Sequence, residues 1–214
     1  MATVLLVRHG ETTWNRSGRV QGWAPTSLTD RGREQAAALG AHLASTADVD
    51  RLVSSDLRRA AETARYVARE VGCDLTTDAA WRERDFGCLQ GFSPTEVFET
   101  YPEYALSVSG ASAATVRPDS GETLVEVRER VLDRWERLRT DLEPDETVVV
   151  VAHGGPNRLL LGSILDYDVV DSVLDIDQDN CALNEIHTSD PRVVRRNDTR
   201  YLPEDLTVDS ETVA

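Results

Sequence analysis

Two histidines of this chain stand in the same local setting, each directly after a run of apolar, mostly β-branched residues. Residues 4–10 are Val-Leu-Leu-Val-Arg-His-Gly, and residues 148–155 are Val-Val-Val-Val-Ala-His-Gly-Gly. Such runs are typical of buried strands, and open α/β sheets hold their ligands at the carboxyl edge. One buried histidine is most often a packed core residue, but His9 and His153, at matching strand ends, predict a functional site at that edge.

The rest of the chain alternates between short apolar runs and longer segments with helical periodicity. This alternation predicts an α/β fold: a single domain with a doubly wound, mainly parallel sheet flanked by helices. Segment 81–115 is the least regular part and is predicted to form an irregular cap, with a short helix after Pro94 and a loop at 107–115. The predicted strands are 3–7, 51–54, 75–77, 147–152 and 182–186, and the predicted helices are 30–45, 56–71, 120–142 and 156–165.

The length and the cysteine pattern favour a single intracellular domain. With 214 residues in all, we expect a catalytic domain over 1–202 and an acidic, frayed tail over 203–214. No apolar run approaches the ~20 residues that span a bilayer, and the first residues lack the charge of a secretory signal. The three cysteines are widely spaced and indicate neither a disulfide framework nor a zinc cluster. These features predict a cytoplasmic protein.

The charge of the chain limits its partners. All 23 basic residues are arginine, and 38 acidic residues bring the net charge to −15. This negative charge disfavours nucleic acid and anionic membranes as partners, and an anionic small substrate would need a local cluster of arginines. Two hypotheses explain the composition: adaptation to a halophilic cytoplasm, and a GC-rich genome that exchanges Lys for Arg.

The halophilic hypothesis predicts that folding and activity increase as KCl rises from dilute to multimolar concentration. At 1 M salt the Debye length is only ~3 Å, so repulsion between acidic side chains is screened. Thermal unfolding over a KCl series measures the effect. A midpoint that stays flat or falls over this range supports the genome-composition hypothesis instead.

The residues around His9 suit the chemistry of a phosphate group. Arg8 places a guanidinium, which matches phosphate bidentately, beside an imidazole that acts as a nucleophile when one ring nitrogen is unprotonated. A second cation follows at the start of the second predicted helix, where backbone N–H groups also favour an anion. Arg58 has Glu62 four residues on and is predicted to form a surface pair with it. Arg59 is therefore the candidate phosphate ligand.

Four short motifs follow one another along the chain, with three smaller ones between the first and the second. They are Arg8-His9-Gly10-Glu11-Thr12, then Trp14-Asn15, Gln21-Gly22-Trp23 and Leu28-Thr29-x-x-Gly32-x-x-Gln35-Ala36, then Ser55-x-Leu57-x-Arg59-Ala60, Glu83-Arg84-Asp85-Phe86-Gly87-x-Leu89-Gln90-Gly91 and Ala152-His153-Gly154. In this order they resemble the histidine phosphatase superfamily, the phosphoglycerate-mutase-like proteins. Each motif is modest by itself, but together they make a specific resemblance over residues 3–190.

The resemblance implies phosphoryl transfer through a phosphohistidine on His9, with no metal or other cofactor. Arg8, Arg59 and His153 would surround the transferring oxygens, where negative charge is concentrated in the transition state. Glu83, or alternatively Asp85, would protonate the leaving oxygen and then take a proton from water. The resemblance also implies four residues that line the substrate phosphate: Asn15, Gln21, Gly22 and Gly154.

Two reactions fit this set of residues: hydrolysis of a phosphate monoester on a small phosphorylated metabolite, and isomerisation by a 2,3-bisphosphoglycerate-dependent phosphoglycerate mutase. A mutase also binds the carboxylate of phosphoglycerate, and the mutases that this chain resembles carry several basic residues in the segment after the Gln-Gly motif. Here segment 92–122 has only Arg117, which favours hydrolysis. In favour of the mutase, string 83–91 is closer to mutases, and Arg82 and Arg84 could replace the missing basic residues.

Other hypotheses have less support from the residues. A zinc site made of His9, His153 and Glu83 would lack local ligand spacing. A non-catalytic phospho-ligand binder should have lost a histidine or the acid, and all are present. His42 and His187 are predicted to be ordinary helix and strand residues. The identity of the substrate and the oligomeric state stay open.

Overall fold

The computed structural model describes residues 1–207, which form a six-stranded sheet with helices on both faces. The strands are β1 (Thr3–Arg8), β2 (Arg51–Ser54), β3 (Leu75–Thr77), β4 (Thr147–Ala152), β5 (Leu183–His187) and β6 (Arg192–Asp198). The helices are α1 (Thr13–Arg16), α2 (Asp30–Thr46), α3 (Arg58–Val71), α4 (Pro94–Thr100), α5 (Leu106–Ser109), α6 (Ala111–Ala114), α7 (Leu124–Thr140), α8 (Gly154–Ile164) and α9 (Val169–Leu174). None of these helices has both the length and the apolar composition needed to cross a membrane.

The strand order confirms the predicted doubly wound, mainly parallel sheet. It is β3-β2-β4-β1-β5-β6. Strands β3, β2, β4 and β1 pair in parallel, whereas β5 is antiparallel to both β1 and β6. Strand β5 is thus the one reversed strand of the described sheet.

The two central strands bring the histidines together. Strands β1 and β4 pair in parallel with Arg8 opposite Ala152, so that His9 and His153 leave the sheet side by side. The backbone N–H of His9 donates to the carbonyl of Ala152 at 3.1 Å, which extends the ladder by one bond. The shared register follows from two apolar runs that are buried on both faces and pair along their full length.

Two apolar layers fix the sheet between the helices. Val131 and Trp135 of α7 and Leu160 of α8 pack on one face, and Leu39 of α2 and Val67 of α3 pack on the other. Because side chains of a strand alternate between the faces, β1 and β4 contribute to both layers. This burial explains why both strands consist of continuous apolar residues.

Several elements differ from the sequence prediction: α1 was not predicted, α7 begins at Leu124 rather than at residue 120, and α8 begins at Gly154 rather than at residue 156. The loop predicted at 107–115 is wrong: helices α5 and α6 cover most of it and bury Ala113 and Ala114, since alanine favours a helix that can be packed. Helix α9 was not predicted; it begins after Asp168, whose carboxylate accepts two backbone N–H groups. Strand β6 was not predicted because it is highly charged, as suits an edge strand.

The segment predicted as a frayed tail, 203–214, begins with ordered residues. Leu206 is buried, and its carbonyl accepts a hydrogen bond from Nε2 of Gln35 at 2.8 Å. The expectation of fraying is therefore wrong for 203–207. Residues 208–214 lie outside the described part of the chain.

Candidate active site

The candidate site residues meet at the carboxyl edge of the sheet. The loop after β1 carries His9, the first turn of α3 carries Arg59, and His153 immediately precedes α8. The ring centroids of the two histidines are 5.2 Å apart. Glu83 reaches the first turn of α8, where it accepts the backbone N–H of Gly155 at 3.2 Å.

The hydrogen bonds of His9 show which of its two ring nitrogens carries the proton. Its Nδ1 lies 2.8 Å from the carbonyl oxygen of Gly10, which only accepts, so Nδ1 carries the proton. Its Nε2 accepts a hydrogen bond from Nε of Arg59 at 3.1 Å. The imidazole is therefore neutral, and the lone pair of Nε2 faces the guanidinium.

Burial keeps both site histidines neutral. His9 is 2% exposed and His153 is completely buried. Desolvation lowers the pKa of each ring well below 6.5, and the nearby guanidiniums of Arg59 and Arg8 lower it further. A protonated imidazole has no lone pair to donate, so this environment preserves the nucleophilic form of His9 in mildly acidic solution.

We expect the protein to become less stable as the pH falls below 6.5. Unfolded histidine gains a proton near that pH while native His9 and His153 stay neutral, so the unfolded state binds more protons. The free energy of unfolding should fall by up to about 1.4 kcal/mol per pH unit for each histidine, which urea titrations between pH 7.5 and 5 measure. His9→Asn should remove about half of this dependence, and an unchanged slope would contradict the argument.

Arg59 holds His9 against the loop that follows α1. It is 1% exposed, and its guanidinium donates to the carbonyls of Gly22 at 2.8 Å and Ala24 at 3.3 Å as well as to His9. Burial lowers the pKa of Arg59 to about 10, yet this value leaves the side chain charged at neutral pH. A cation so confined is suited to an anionic ligand.

The neighbouring Arg58 is exposed to solvent. Its predicted surface pair with Glu62 is wrong, because Oε1 of Glu62 accepts from Nε of Arg33 at 3.0 Å instead. Helix α3 begins at Arg58 rather than at the predicted residue 56. The choice of Arg59 as the inward-facing arginine agrees with the structure.

The loop that carries His9 is packed tightly between two helices. A Cβ at residue 10 would lie 2.5 Å from the carbonyl oxygen of Gly32 at the start of α2, so only glycine fits there. The N–H of Gly10 donates to Oγ1 of Thr63 at 3.1 Å, and that hydroxyl donates to the carbonyl of Arg59 at 2.8 Å. Thr63 thus links the backbone directly after His9 to that of Arg59.

Arg8 and Arg158 place two guanidiniums beside the first turn of α8. A Cβ built on Gly154 would lie 3.7 Å from both Nε of Arg8 and Nη1 of Arg158. Burial and then Arg158 lower the pKa of Arg8 to about 10, and burial lowers that of Arg158. Arg8 donates to the carbonyl of Gln178, and Arg158 donates to that of Ile176 at 2.7 Å. Nε of Arg8 is buried and has no hydrogen-bond partner among residues 1–207. Two like charges held together in this way indicate an anion site.

Arg158 was missed by the sequence analysis. The signal that identifies it is its spacing: it follows Gly154 by four residues, so both lie on one face of the helix after the second histidine. The N-terminal end of α8 also favours an anion through the helix dipole, although the N–H of Gly155 is bonded to Glu83 and residue 156 is a proline. Arg158 is thus a further cation on the same face of the helix.

Ser55 orients His153, a role that the sequence analysis did not assign although Ser55 opens one of the four motifs. Nε2 of His153 lies 2.8 Å from Oγ of Ser55, and that oxygen accepts the N–H of Leu57 at 3.2 Å. Nδ1 of His153 is buried with no partner in the described part of the chain, which leaves it available to a ligand. A hydroxyl residue directly after the predicted strand 51–54 is the signal that could have identified Ser55.

The structure separates the two candidate acids. One carboxylate oxygen of Glu83 accepts from Gly155 and the other accepts the N–H of Arg84 at 2.9 Å. A side chain at residue 155 would collide with Glu83, so glycine permits this approach. Asp85 instead accepts the N–H of Gly87 at 2.8 Å and caps a local turn. Glu83 is therefore the acid that faces the site.

Asn15 and Gln21 contribute amide groups with their oxygens already bonded. Oγ1 of Thr12 lies 2.9 Å from Oδ1 of Asn15 and 2.9 Å from Oε1 of Gln21, and Oγ1 of Thr26 donates to the latter at 2.8 Å. The amide NH₂ groups are therefore the ends that remain for a ligand. Such donors suit the oxygens of a phosphate.

The other two histidines lie outside this cluster. His42 stacks on Tyr201 with ring centroids 4.6 Å apart, and His187 of β5 lies 3.5 Å from a carboxylate oxygen of Glu185. No group of three or more His, Cys, Asp or Glu residues within 1–207 is arranged to hold a metal ion. The zinc alternative therefore gains no support.

Comparison with known proteins identifies the family to which this site belongs. Residues 4–199 match the histidine phosphatase superfamily (branch 1). The chain belongs to this superfamily. The match covers nearly the whole chain and confirms the resemblance inferred from the motifs.

Relatives within the histidine phosphatase superfamily have names of both reaction types. The chain is 38% identical over 165 residues to a probable phosphoglycerate mutase of Citrobacter koseri. The matched region covers 77% of this chain and 75% of the relative. It is 32% identical over 191 residues to a metal-independent phosphoserine phosphatase of Arabidopsis thaliana. This match covers 88% of this chain and 77% of the relative. Sequence similarity alone thus includes mutases and phosphatases.

A solved structure shows the same architecture. A mycobacterial glucosyl-3-phosphoglycerate phosphatase, determined with VO3, is similar to this chain with a TM-score of 0.79 and 30% identity, covering 92% of this chain and 99% of its own. The irregular cap and the mainly parallel sheet therefore belong to a known histidine phosphatase fold.

Proposed function

We propose that this protein is a metal-independent histidine phosphatase that hydrolyses a phosphate monoester of a small metabolite through a phosphohistidine on His9. The observation that carries the proposal is the state of His9: a buried, neutral imidazole whose Nε2 lone pair faces Arg59. The phosphatases among the relatives support hydrolysis. No cofactor takes part in the proposed reaction.

In the first step Nε2 of His9 forms a bond to phosphorus while the ester P–O bond breaks. A phosphoryl oxygen replaces Nε2 as the acceptor of the Nε–H of Arg59, and Arg8 and His153 donate to the other oxygens. The bonding electrons leave with the ester oxygen, which takes a proton from the carboxylic acid of Glu83. The carbonyl of Gly10 stabilises the positive ring through Nδ1–H.

In the second step water attacks the phosphohistidine. The carboxylate of Glu83 takes a proton from the water while the oxygen of the water bonds to phosphorus. The electrons of the N–P bond return to Nε2 of His9. Glu83 is then protonated and ready for the next substrate. Inorganic phosphate leaves.

Four further residues are proposed to line the phosphate. Asn15 and Gln21 supply amide N–H donors, and Gly154 supplies the first backbone N–H of α8, at the helix end that favours an anion. Gly22 is the fourth residue. Its carbonyl accepts from Nη2 of Arg59 at 2.8 Å, which places its backbone beside the guanidinium proposed to bind the phosphate. These assignments give every phosphoryl oxygen at least one charged or polar partner.

Hydrolysis is favoured over isomerisation because the arginines near the cap are already engaged. Arg117 donates to a backbone carbonyl at 2.9 Å and pairs with Glu126. Arg82 pairs with Asp56 at 2.7 Å, and Arg84 donates to two backbone carbonyls at 2.8 and 3.1 Å. These side chains are therefore poorly placed to hold the second anionic group of a phosphoglycerate.

One observation favours the mutase as a second candidate function. Nη1 of Arg158 lies beside the same glycine as Arg8, and a guanidinium there is suited to a carboxylate next to the phosphate ester. The mutase relatives agree with this alternative. A mutase would use Arg158 to hold the glycerate while phosphate moves between its hydroxyls.

Assays with p-nitrophenyl phosphate and 3-phosphoglycerate distinguish the two functions. The hydrolase should release inorganic phosphate from p-nitrophenyl phosphate without 2,3-bisphosphoglycerate, and it should form little 2-phosphoglycerate from 3-phosphoglycerate. Both products are measured with and without the bisphosphate. Bisphosphate-stimulated isomerisation with little phosphate release would overturn the proposed function.

We propose that the reaction takes place in the cytoplasm on a dissolved small substrate. A net charge of −15 disfavours a nucleic acid or an anionic membrane as partner. The buried arginines of the site provide the local positive charge that an anionic substrate requires.

A further inference from the structure

A separate apolar cavity, here called the cap cavity, lies between the cap and the rest of the domain. Its volume is about 350 Å³, which is at the lower end of the ~300–1,000 Å³ typical of small-molecule sites. Its walls are mostly aliphatic and aromatic. They include Phe86, Leu89, Val97, Phe98, Leu106 and Leu124.

Three lining residues connect the cap cavity to the catalytic centre. Val20 precedes Gln21, and Arg84 follows Glu83. Arg158 lines the cavity and also lies beside Gly154 and Arg8. The cavity therefore adjoins the side of the site where Glu83 stands, which is the side toward which the leaving oxygen departs in the proposed reaction.

We propose that the cap cavity receives the carbon skeleton of the leaving alcohol, so that preferred substrates are phosphate monoesters of alcohols with an aromatic or branched alkyl group. This inference rests on the proposed function, because it assigns the direction of departure from Glu83. An apolar group in this cavity loses contact with water and gains contact with apolar walls. The phosphate stays with the arginines outside.

The polar groups of the cap cavity argue against a sugar in the same place. Arg84 is 5% exposed and donates to two backbone carbonyls, and the hydroxyl of Tyr104 donates to the carbonyl of Arg117 at 3.3 Å. Among the lining residues that the structure describes there is no carboxylate or amide side chain. The hydroxyls of a sugar would therefore be buried with few partners, which is unfavourable.

A series of alkyl phosphates tests the proposal, because their leaving groups have similar basicity. We expect kcat/KM to rise from ethyl to butyl phosphate by on the order of tenfold, since each buried methylene corresponds to about fourfold. Branched 3-methylbutyl phosphate and 2-phenylethyl phosphate should be used better than ethyl phosphate, and glucose 6-phosphate should be used less well than butyl phosphate. Values of kcat/KM that do not change along the series would overturn the proposal.

A matched pair of variants locates the preference. Leu174 lines the cap cavity and is 51% exposed, so Leu174→Asp should fold while it places a charge at the cavity. It should lower the ratio of kcat/KM for 2-phenylethyl phosphate to that for ethyl phosphate by about fivefold or more. Val108 of the cap is 76% exposed and does not line the cavity, and Val108→Asp should keep the wild-type ratio. Equal ratios in both variants would overturn the proposal.

These results separate the two proposals from each other. Phosphate release and a phosphohistidine on His9, with no preference along the alkyl series, would refute the role of the cap cavity and leave the hydrolase in place. Isomerisation with little phosphate release from any ester would refute the hydrolase itself. An alkyl preference that Leu174→Asp abolishes would support both.

Discussion

His9→Ala should abolish covalent labelling of the protein by a phosphate ester and lower kcat/KM by on the order of 10⁴-fold or more. The substitution removes the only atom of the protein that bonds to phosphorus in the proposed reaction. The measurement is a brief exposure to labelled substrate followed by an alkaline quench. The wild-type protein should then carry acid-labile phosphate, the signature of a phosphoramidate.

His42→Ala is the matched control for this experiment. His42 also contacts an aromatic ring, that of Tyr201, but it lies outside the site, so its loss should leave labelling unchanged. His9→Asn keeps a hydrogen-bonding group and guards against a mere folding defect in His9→Ala. Labelling that survives in both His9 variants would remove His9 from the mechanism.

Glu83→Gln should depress kcat on alkyl phosphates by about 10²-fold or more, because the carboxyl group acts first as acid and then as base. An amide can do neither, although it can still accept the N–H of Gly155. A leaving group that needs no proton, such as p-nitrophenolate, should lose much less in the first step. Phosphohistidine should then accumulate, because the activation of water is impaired.

Asp85→Asn provides the comparison for Glu83→Gln. Asp85 caps a turn by accepting the N–H of Gly87, and an asparagine oxygen can accept the same bond, so the kinetic effect should be mild. Rates on ethyl and p-nitrophenyl phosphate measure both variants. If Asp85→Asn were the more damaging substitution, the assignment of the catalytic acid would be reversed.

The reaction class could be predicted from the sequence because the residues that indicate it lie in short motifs at the ends of strands and helices. The Arg8-His9-Gly10 string, Arg59 and His153-Gly154 each follow or open a regular element, so strand and helix periodicity places them at one edge of a sheet. The central strands were predicted to within one residue at each end. Residues that lie directly after a strand or at the start of a helix can therefore be identified from the sequence alone.

Tertiary structure decided which side chains contact one another in the site. Glu83 and Asp85 are two residues apart in one irregular segment, and only the packing of that segment on α8 directs Glu83 to Gly155. The bond from Ser55 to His153 joins residues 98 positions apart. Such pairs leave no periodic signal in the chain, because the cause of each contact lies in another element.

What the sequence by itself determined is the α/β architecture, the pairing of the two histidines and the family chemistry. Only the tertiary structure decided the tautomer of His9, which of the two carboxylates approaches α8, the place of Arg158 and the apolar cap cavity. The physical reason is that strand burial and helix periodicity are imposed by neighbours along the chain. Protonation, cavity shape and the clustering of like charges depend instead on desolvation and contacts made by distant segments.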